Sequence, residues 1–272
     1  MAILITGGTG FIGSRLVEQS KKNGNKVILF TGDISKREDT QNFYSDEKID
    51  ILIHLAAVVS HRDRDFLEKV NIDGTKNVVE MGHRLQVRRL IFLSSIRCLS
   101  NSSDPYINSK RVAEKDVVSS GLPYIVLRPS MVYGPGDNKN IGFLIKLAKV
   151  TPIMPILNFR IQPIFVDDVV KAISGCLNLP ANQVINMVGP EIISFEKIPR
   201  YLKDFGYKFL KVKVPSFFSF LVWAISFLPF SPVTPWQIKT LLADEVYKGD
   251  DWQKLLSLEV TPFVEGLRKT LI

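Results

Sequence analysis

Short apolar runs recur along the first half of the chain, separated by polar or amphipathic stretches of helical length. Ala2–Ile5 reads as a buried strand, and Lys26–Phe30, Ile51–Ala57, Arg89–Ser95 and Tyr124–Arg128 read as its successors. Between them, Ile12, Leu16, Val17 and Ser20 fall on one helical face that Gly24 ends. A short helix is expected within the polar segment 35–48, a long one over Phe66–Leu85, and another from Pro105 to the stop at Gly121-Leu-Pro123. Strand and helix alternate throughout, which predicts an α/β fold: a Rossmann-type doubly wound parallel sheet. Only about twenty residues separate Phe30 from Ile51, too few for a further helix and strand, so the sheet should be trimmed at that edge.

From Ile141 onward the pattern changes to short strands, helices and many prolines, which suits a smaller α+β lobe. The expected division is 1–140 for the nucleotide-binding domain, with strand and helix contributions from 162–190, and 141–272 for a substrate lobe. Gln162–Val166 reads as a strand, with Asp167 and Asp168 capping a helix toward Leu179. No internal repeat is visible.

Composition narrows the function. The 272 residues carry a formal charge of +8, which favours anionic partners, but no long basic run occurs and nucleic acid is not expected. His54, His61 and His83 lack metal-ligand spacing, and no metal site is expected. Two cysteines, Cys98 and Cys176, are too few for a disulfide framework. The first strand starts at the N-terminus with no room for a signal peptide, so a cytoplasmic location is the expectation.

The chemistry starts in the turn Thr6-Gly-Gly-Thr-Gly-Phe-Ile-Gly13, placed between a strand and a helix as a dinucleotide-phosphate cradle requires. Gly7 permits the tight turn, Gly10 the approach of a pyrophosphate, and Gly13 close packing of helix on strand. An acid at the end of the second strand would bind the ribose of NAD. Thr31 stands there instead, with Lys36 and Arg37 beyond, which tilts the reading toward NADP, while nearby Asp33 keeps NAD open.

The strand ending in Ser94-Ser95 delivers hydroxyls where open α/β sheets bind ligands. Tyr106 and Lys110 are four apart on the following helix and share a face. Hydride transfer at a carbinol or carbonyl needs a proton partner, and a tyrosine whose pKa a lysine lowers can serve, with Ser95 bonding the substrate oxygen. Ser95, Tyr106 and Lys110 are the expected catalytic residues.

Taken together, these stretches resemble the short-chain dehydrogenase/reductase superfamily, in its extended or atypical branch, the NAD-dependent epimerase/dehydratase family. The likeness also runs through His54-Leu-Ala-Ala57, Asn71 with Gly74-Thr75, Arg128-Pro129, Tyr133-Gly-Pro135 and Phe165-Val-Asp-Asp168. It implies cofactor contacts from Gly7, Thr9, Gly10, Phe11, Ile12 and Gly13, then Thr31, Asp33, Ile34, Leu55, Ala56 and Ala57, with Tyr106 and Lys110 nearby. It implies that Asn71 supports the active-site architecture. Three departures stand out. Ser95 and Tyr106 are only eleven positions apart, where sugar-nucleotide enzymes place a longer loop. The family's phosphate-gripping arginine falls on Ile161, beside Arg160. The segments Thr234–Leu242 and Thr261–Leu267 look more like the branch of the complex I NAD(P)H-binding accessory subunit.

The expected function is therefore an NAD(P)-dependent oxidoreductase, epimerase or dehydratase acting on a small molecule, a nucleotide-activated sugar first. A non-catalytic cofactor-binding protein and a reductase of a hydrophobic or lipid-linked substrate are the alternatives. The apolar run Phe217–Phe230 is shorter than the ~20 residues a membrane span needs. It reads as a packed element of the small lobe, with a weak membrane-surface contact as the second reading. The resemblance adds a homodimer as an expectation.

Overall fold

The computed structural model describes residues 1–59, 61–156, 159–213 and 244–271. The apolar run 217–230 and the segment 234–242 lie outside them. The first half builds β1 (Ala2–Thr6), α1 (Gly13–Lys22), β2 (Lys26–Phe30), α2 (Arg37–Gln41), β3 (Ile51–His54), α3 (Arg64–Glu68), α4 (Gly74–Arg84), β4 (Arg89–Leu93), α5 (Pro105–Val118) and β5 (Tyr124–Pro129). Then come β6 (Met131–Tyr133), α6 (Ile141–Val150), β7 (Ile153–Ile156), β8 (Arg160–Ile161), β9 (Pro163–Phe165), α7 (Val166–Gly175), β10 (Gln183–Met187), β11 (Ile193–Ser194), α8 (Ile198–Asp204) and β12 (Leu210–Lys213). Two helices near the C-terminus follow, α9 (Trp252–Leu255) and α10 (Phe263–Leu271).

Six parallel strands form the main sheet in the order β10-β5-β4-β3-β1-β2. This is the expected Rossmann-type sheet, and β2 is its edge, as the short β2–β3 connection requires. The strands covered on both faces are nearly uniform in apolar residues: β1 and β3 are buried at every position, whereas edge strand β2 is exposed or half-buried over most of its length. Leu4, Leu52, Phe92 and Val126 of the sheet pack with Val78, Met81, Ala113 and Val117 of α4 and α5 in one core. The chain leaves β1 toward β2 on one side and β3 on the other, and the crevice at such a switch point takes ligands in open α/β sheets.

Three local departures from the sequence expectations matter. Helix 66–85 is not uniform: a π-helical turn at Lys69–Asp73 joins α3 to α4 and contains Asn71. The third strand ends at His54, and Leu55–Ala57 run on without pairing in the sheet. Asp167 and Asp168 lie in the first turn of α7 rather than ahead of it.

Two compact units are distinguished. The first contains Met1–Pro129, Asp167–Met187 and Gly249–Leu258. The second contains Ser130–Val166, the described part of Val188–Lys248, and Glu259–Ile272. The second unit's core gathers Tyr133, Ile145, Met154, Phe165, Leu202 and Phe263. Its strands pair two by two: β6 with β9 and β7 with β12 in parallel, β8 with β11 antiparallel. The Tyr133 hydroxyl donates to the Phe263 carbonyl at 3.1 Å, which satisfies the one polar atom of a wholly buried ring.

Candidate active site and cofactor cleft

Backbone constraints build the glycine turn. Gly7 has φ +71°, the left-handed region that favours glycine. A Cβ there would lie 2.6 Å from the Ala56 nitrogen, so Gly7 also lets the ends of β1 and β3 approach. The Gly10 amide donates to the Gly7 carbonyl at 3.1 Å. A Cβ on Gly13 would fall 2.0 Å from that same carbonyl, so close packing of α1 depends on its absence. Ile12 is the N-cap position of α1 and Phe11 precedes it, so the free amides and positive dipole end of the helix lie at the turn.

The turn opens into a cleft of about 330 Å³ lined by Gly7, Gly8, Thr9, Thr31, Asp33 and Ile34, with Ala56 also on its wall. The Leu55 amide donates to the Thr6 carbonyl at 3.1 Å, and Ala57 follows Ala56 along the same loop. A tight glycine turn at a helix N-terminus, opening on a cleft beside the sheet edge, fits a dinucleotide. Thr31 is exposed at the end of β2. The Asp33 carboxylate accepts from the Ser35 amide at 2.9 Å and hydroxyl at 2.8 Å, and these bonds hold it below the usual carboxylate range.

In the same unit, Ser95 follows β4 and caps a 3₁₀ turn, Ile96–Leu99, accepting from the Arg97 amide at 3.3 Å. Asp104 caps α5 by accepting from the Tyr106 amide at 2.9 Å. The two caps place Ser95 and Tyr106 at the two ends of the short connection from β4 to α5, near enough for the Ser95 hydroxyl to act on the phenol. Lys110 is buried one turn further on; its Nζ donates to the Leu93 carbonyl at 2.8 Å and lies 4.1 Å from the centroid of the Phe92 ring. Burial brings the Lys110 ammonium down to about 8, partly offset by the charges of Cys98 and Glu114.

The expected lowering of Tyr106 by Lys110 is not what these side chains do. Burial pushes the phenol up, Cys98 and Asp104 add to this, and Arg97 and Ser95 oppose it. The shared helix face is real, but the ammonium is held at the carbonyl end of β4.

The surrounding network contains Asn71, which the resemblance named as a support of the site, together with partners that were not anticipated. Asn71 in the π turn accepts from the Val58 amide at 2.8 Å and donates to the Val58 carbonyl and to Ser109 Oγ, both at 2.9 Å. Ser109 in turn donates to the Tyr106 carbonyl at 2.8 Å. Thr75 donates its hydrogen to the Asn71 carbonyl at 2.7 Å, so it accepts from His54 Nε2 at 3.0 Å. His54 Nδ1 therefore accepts from the Thr6 hydroxyl at 2.7 Å. The buried imidazole is neutral, pushed down to about 3 by burial first and the Lys110 charge second. Polar bonds thus run from the end of β1 to the helix that carries Tyr106.

On the Tyr106–Lys110 face one turn on, buried Glu114 accepts from Ser94 Oγ at 2.6 Å and pairs with Arg128, whose Nε lies 3.1 Å from both carboxylate oxygens. Arg111 clamps the short segment between Ser95 and Tyr106. Its guanidinium donates to the carbonyls of Cys98 and Ser102, each at 3.0 Å, and to that of Ser100. Glu114 was legible as the next helical repeat after Lys110. Nothing in the sequence signals the carbonyls that Arg111 holds.

In the second unit, Ile161 is buried and Arg160 is paired with Asp244, Nε to Oδ2 at 3.0 Å. The Arg160 amide also donates to that carboxylate.

Among known proteins, the sterol-4-alpha-carboxylate 3-dehydrogenase (decarboxylating) of Candida albicans is 26% identical over 194 residues, covering 55% of this chain and 55% of its own. The ceramide reductase of Caulobacter vibrioides is 27% identical over 197 residues, covering 64% of this chain and 60% of its own. The chain thus spans only a little over half the length of these relatives. Among solved structures, a UDP-glucose 4-epimerase of Thermotoga maritima with UDP-glucose has a TM-score of 0.80 at 22% identity, covering 100% of this chain and 97% of that one, a likeness of fold. The profile of the NAD dependent epimerase/dehydratase family matches residues 3–188, and the chain belongs to that family.

Proposed function

We propose that the chain is an NAD(P)-dependent oxidoreductase that interconverts a secondary alcohol and a ketone. The observation that carries this reading is the placement of Ser95 near Tyr106 in the unit that also holds the glycine turn, with Lys110 buried one turn further along the helix. The turn at Gly7–Gly13 holds the cofactor's pyrophosphate, and Asp33 and Ile34 flank its adenosine. When bound, the nicotinamide supplies or accepts the hydride. Tyr106 moves the proton on the substrate oxygen, and Ser95 hydrogen-bonds that oxygen and orients it. A phenol that burial keeps protonated suits the acid role, so reduction of a ketone is the favoured direction. Lys110 fixes the carboxyl end of β4 through Leu93 and supplies the positive charge near the site.

NADP is the preferred cofactor in this reading. Thr31 offers no carboxylate to a ribose hydroxyl, and Asp33 is engaged by Ser35.

For the substrate, an uncharged apolar alcohol or ketone is favoured over a nucleotide-activated sugar. Arg160, the neighbour of the family's phosphate-gripping position, is paired with Asp244, whose carboxylate would repel a phosphate brought to that guanidinium. The ceramide reductase among the relatives supports this choice, and the sterol-4-alpha-carboxylate dehydrogenase supports its apolar character. The nucleotide-sugar reading keeps the support of the fold likeness to the epimerase.

The test is turnover with NADPH of a 3-ketosteroid, a long-chain keto-amide and UDP-glucose, in the wild type and in Tyr106→Phe. The expected result is reduction of an apolar ketone, lost by at least ~10²-fold in the variant while NADPH affinity stays within about threefold. Undiminished turnover in Tyr106→Phe refutes the assignment. Tight NADPH binding without turnover of any substrate would favour a non-catalytic, cofactor-binding protein.

A further inference from the structure

The pairing of β7 with β12 sets Ile153 beside Leu210, and Val212 shares their face two residues on. These side chains are 50%, 70% and 46% exposed, and Val150 at the end of α6 is 79% exposed. Met154 and Phe209, on the opposite face by alternation, are buried in the second unit's core. The outward row of the ribbon is therefore apolar, although a solvated ribbon turns polar residues outward. The lysine of β12 nearest it, Lys211, falls on the other face. Single exposed apolar residues are ordinary, but a contiguous set marks an interaction surface.

A shallow cleft of about 580 Å³ adjoins this face, lined by Pro152, Lys203, Tyr207, Lys208, Phe209 and Leu210. The Leu210 amide donates to the Pro152 carbonyl at 2.7 Å, which ties ribbon and cleft together. Lys203 Nζ stands 5.6 Å from the centroid of the Phe209 ring, and the Lys208 side chain is exposed. The two segments that build the patch, 146–156 and 200–213, carry seven basic residues against the one acid Asp204. Of these, Lys203 and Lys208 line the cleft next to the apolar row.

We propose that this face of the second unit docks on an anionic lipid bilayer. Val150, Ile153, Leu210 and Val212 enter the interface, and Lys203 and Lys208 receive a headgroup phosphate. Exposed apolar side chains next to a lysine-lined cleft match the interfacial layer of such a membrane, where both contributions act together. A soluble acidic partner would match the lysines but leave the apolar row unexplained. The inference does not depend on the chemistry proposed for the first unit.

The full chain is tested by co-sedimentation with phosphatidylcholine vesicles containing about one third phosphatidylglycerol, against phosphatidylcholine alone. Binding to the anionic vesicles is expected at least ~10-fold above the neutral ones, weakening as salt shortens the screening length. The double variants Lys203→Glu/Lys208→Glu and Ile153→Ser/Leu210→Ser should each reduce it ~10-fold or more, with the thermal unfolding midpoint and NADPH affinity unchanged. Failure of the wild type to bind overturns the proposal. So does unchanged binding in both variants, which would place the contact elsewhere, for instance in the apolar run 217–230. Displacement by millimolar inorganic phosphate, with Ile153→Ser/Leu210→Ser binding normally, would reduce the face to an anion cleft and overturn bilayer docking. Light scattering that finds a dimer, abolished by Ile153→Ser/Leu210→Ser, would make the occupant a second copy and overturn it as well.

Discussion

Protonation of His54 should destabilise the first unit in a way that can be counted. In the fold its imidazole is wholly buried, donates from Nε2 to Thr75 and accepts at Nδ1 from Thr6. A proton added at Nδ1 would face an oxygen that already donates, and the charge would be buried near Lys110. The folded protein therefore holds His54 neutral down to about 3, against an ordinary value of 6.5. Once unfolded, the same imidazole takes up its proton near 6.5. Below that pH the unfolded state binds more protons than the folded one, so the stability fully present above 6.5 is lost as pH falls toward 3. The slope for one group is about 1.4 kcal/mol per pH unit, or roughly 2–3 kcal/mol between pH 6.5 and 4.5.

The assay compares urea unfolding of the wild type and His54→Gln from pH 7.5 to 4.5, followed by far-UV circular dichroism. All other titrating groups are shared, so the difference between the two slopes isolates His54. The variant is expected to be less stable at pH 7.5 and to lose less stability per pH unit below 6.5, so the gap narrows on acidification. NMR provides the direct readout: the His54 ring resonance should hold its neutral position until the unit unfolds. Parallel slopes, or a folded-state His54 resonance that titrates near 6.5, would refute the buried neutral assignment.

Three further outcomes follow from named contacts. Glu114→Ala leaves Arg128 largely buried without its partner and should cost about 3–5 kcal/mol in chemical denaturation, whereas Glu114→Leu with Arg128→Met should recover most of that loss; equal losses would mean the pair acts through packing alone. Gly13→Ala drives a Cβ into the Gly7 carbonyl and should weaken NADPH binding more than ~10-fold, while Gly24→Ala, where a Cβ meets nothing within 4 Å but φ is +74°, should cost only about 1 kcal/mol of stability and leave binding intact. Thr31→Asp should shift the ratio of NADPH to NADH affinity toward NADH by ~10-fold or more, and an unchanged ratio would remove Thr31 as the determinant.

What the sequence revealed and what it hid divide by the range of the interactions. The glycine turn is legible because its requirement is local: Gly7 needs a left-handed backbone and Gly13 a missing Cβ, and both act within a dozen residues. The trimmed sheet edge is legible because chain length limits what can lie between Phe30 and Ile51. The π turn at Asn71 is not, since its side chain is fixed by Val58 and Ser109, the latter 38 positions away. In the sequence His54 shows only that it lacks metal-ligand spacing and opens the family-like stretch His54–Ala57. Its role emerges only when Thr6 and Thr75, 48 and 21 positions away, close on its two nitrogens.

The same distinction governs the long cations of both units. Helical spacing correctly places Lys110 and Glu114 on the face of Tyr106, because that face is a property of the backbone. Where a flexible side chain ends is a property of its partner: Lys110 is held by Leu93, Arg111 by the carbonyls of Cys98, Ser100 and Ser102, and Arg160 by Asp244, 84 residues away. Arg160 has the strongest consequence. From sequence it is the nearest substitute for a phosphate-gripping arginine, yet its Nε and Nη2 are engaged by Asp244, whose negative charge opposes a phosphate at the remaining donors. A phosphate on Arg160 would stand beside the Asp244 carboxylate and be repelled by it, whereas an uncharged apolar ketone meets no such repulsion. Asp244, which no motif singled out, thereby becomes the residue that turns the substrate reading from phosphate toward the uncharged class.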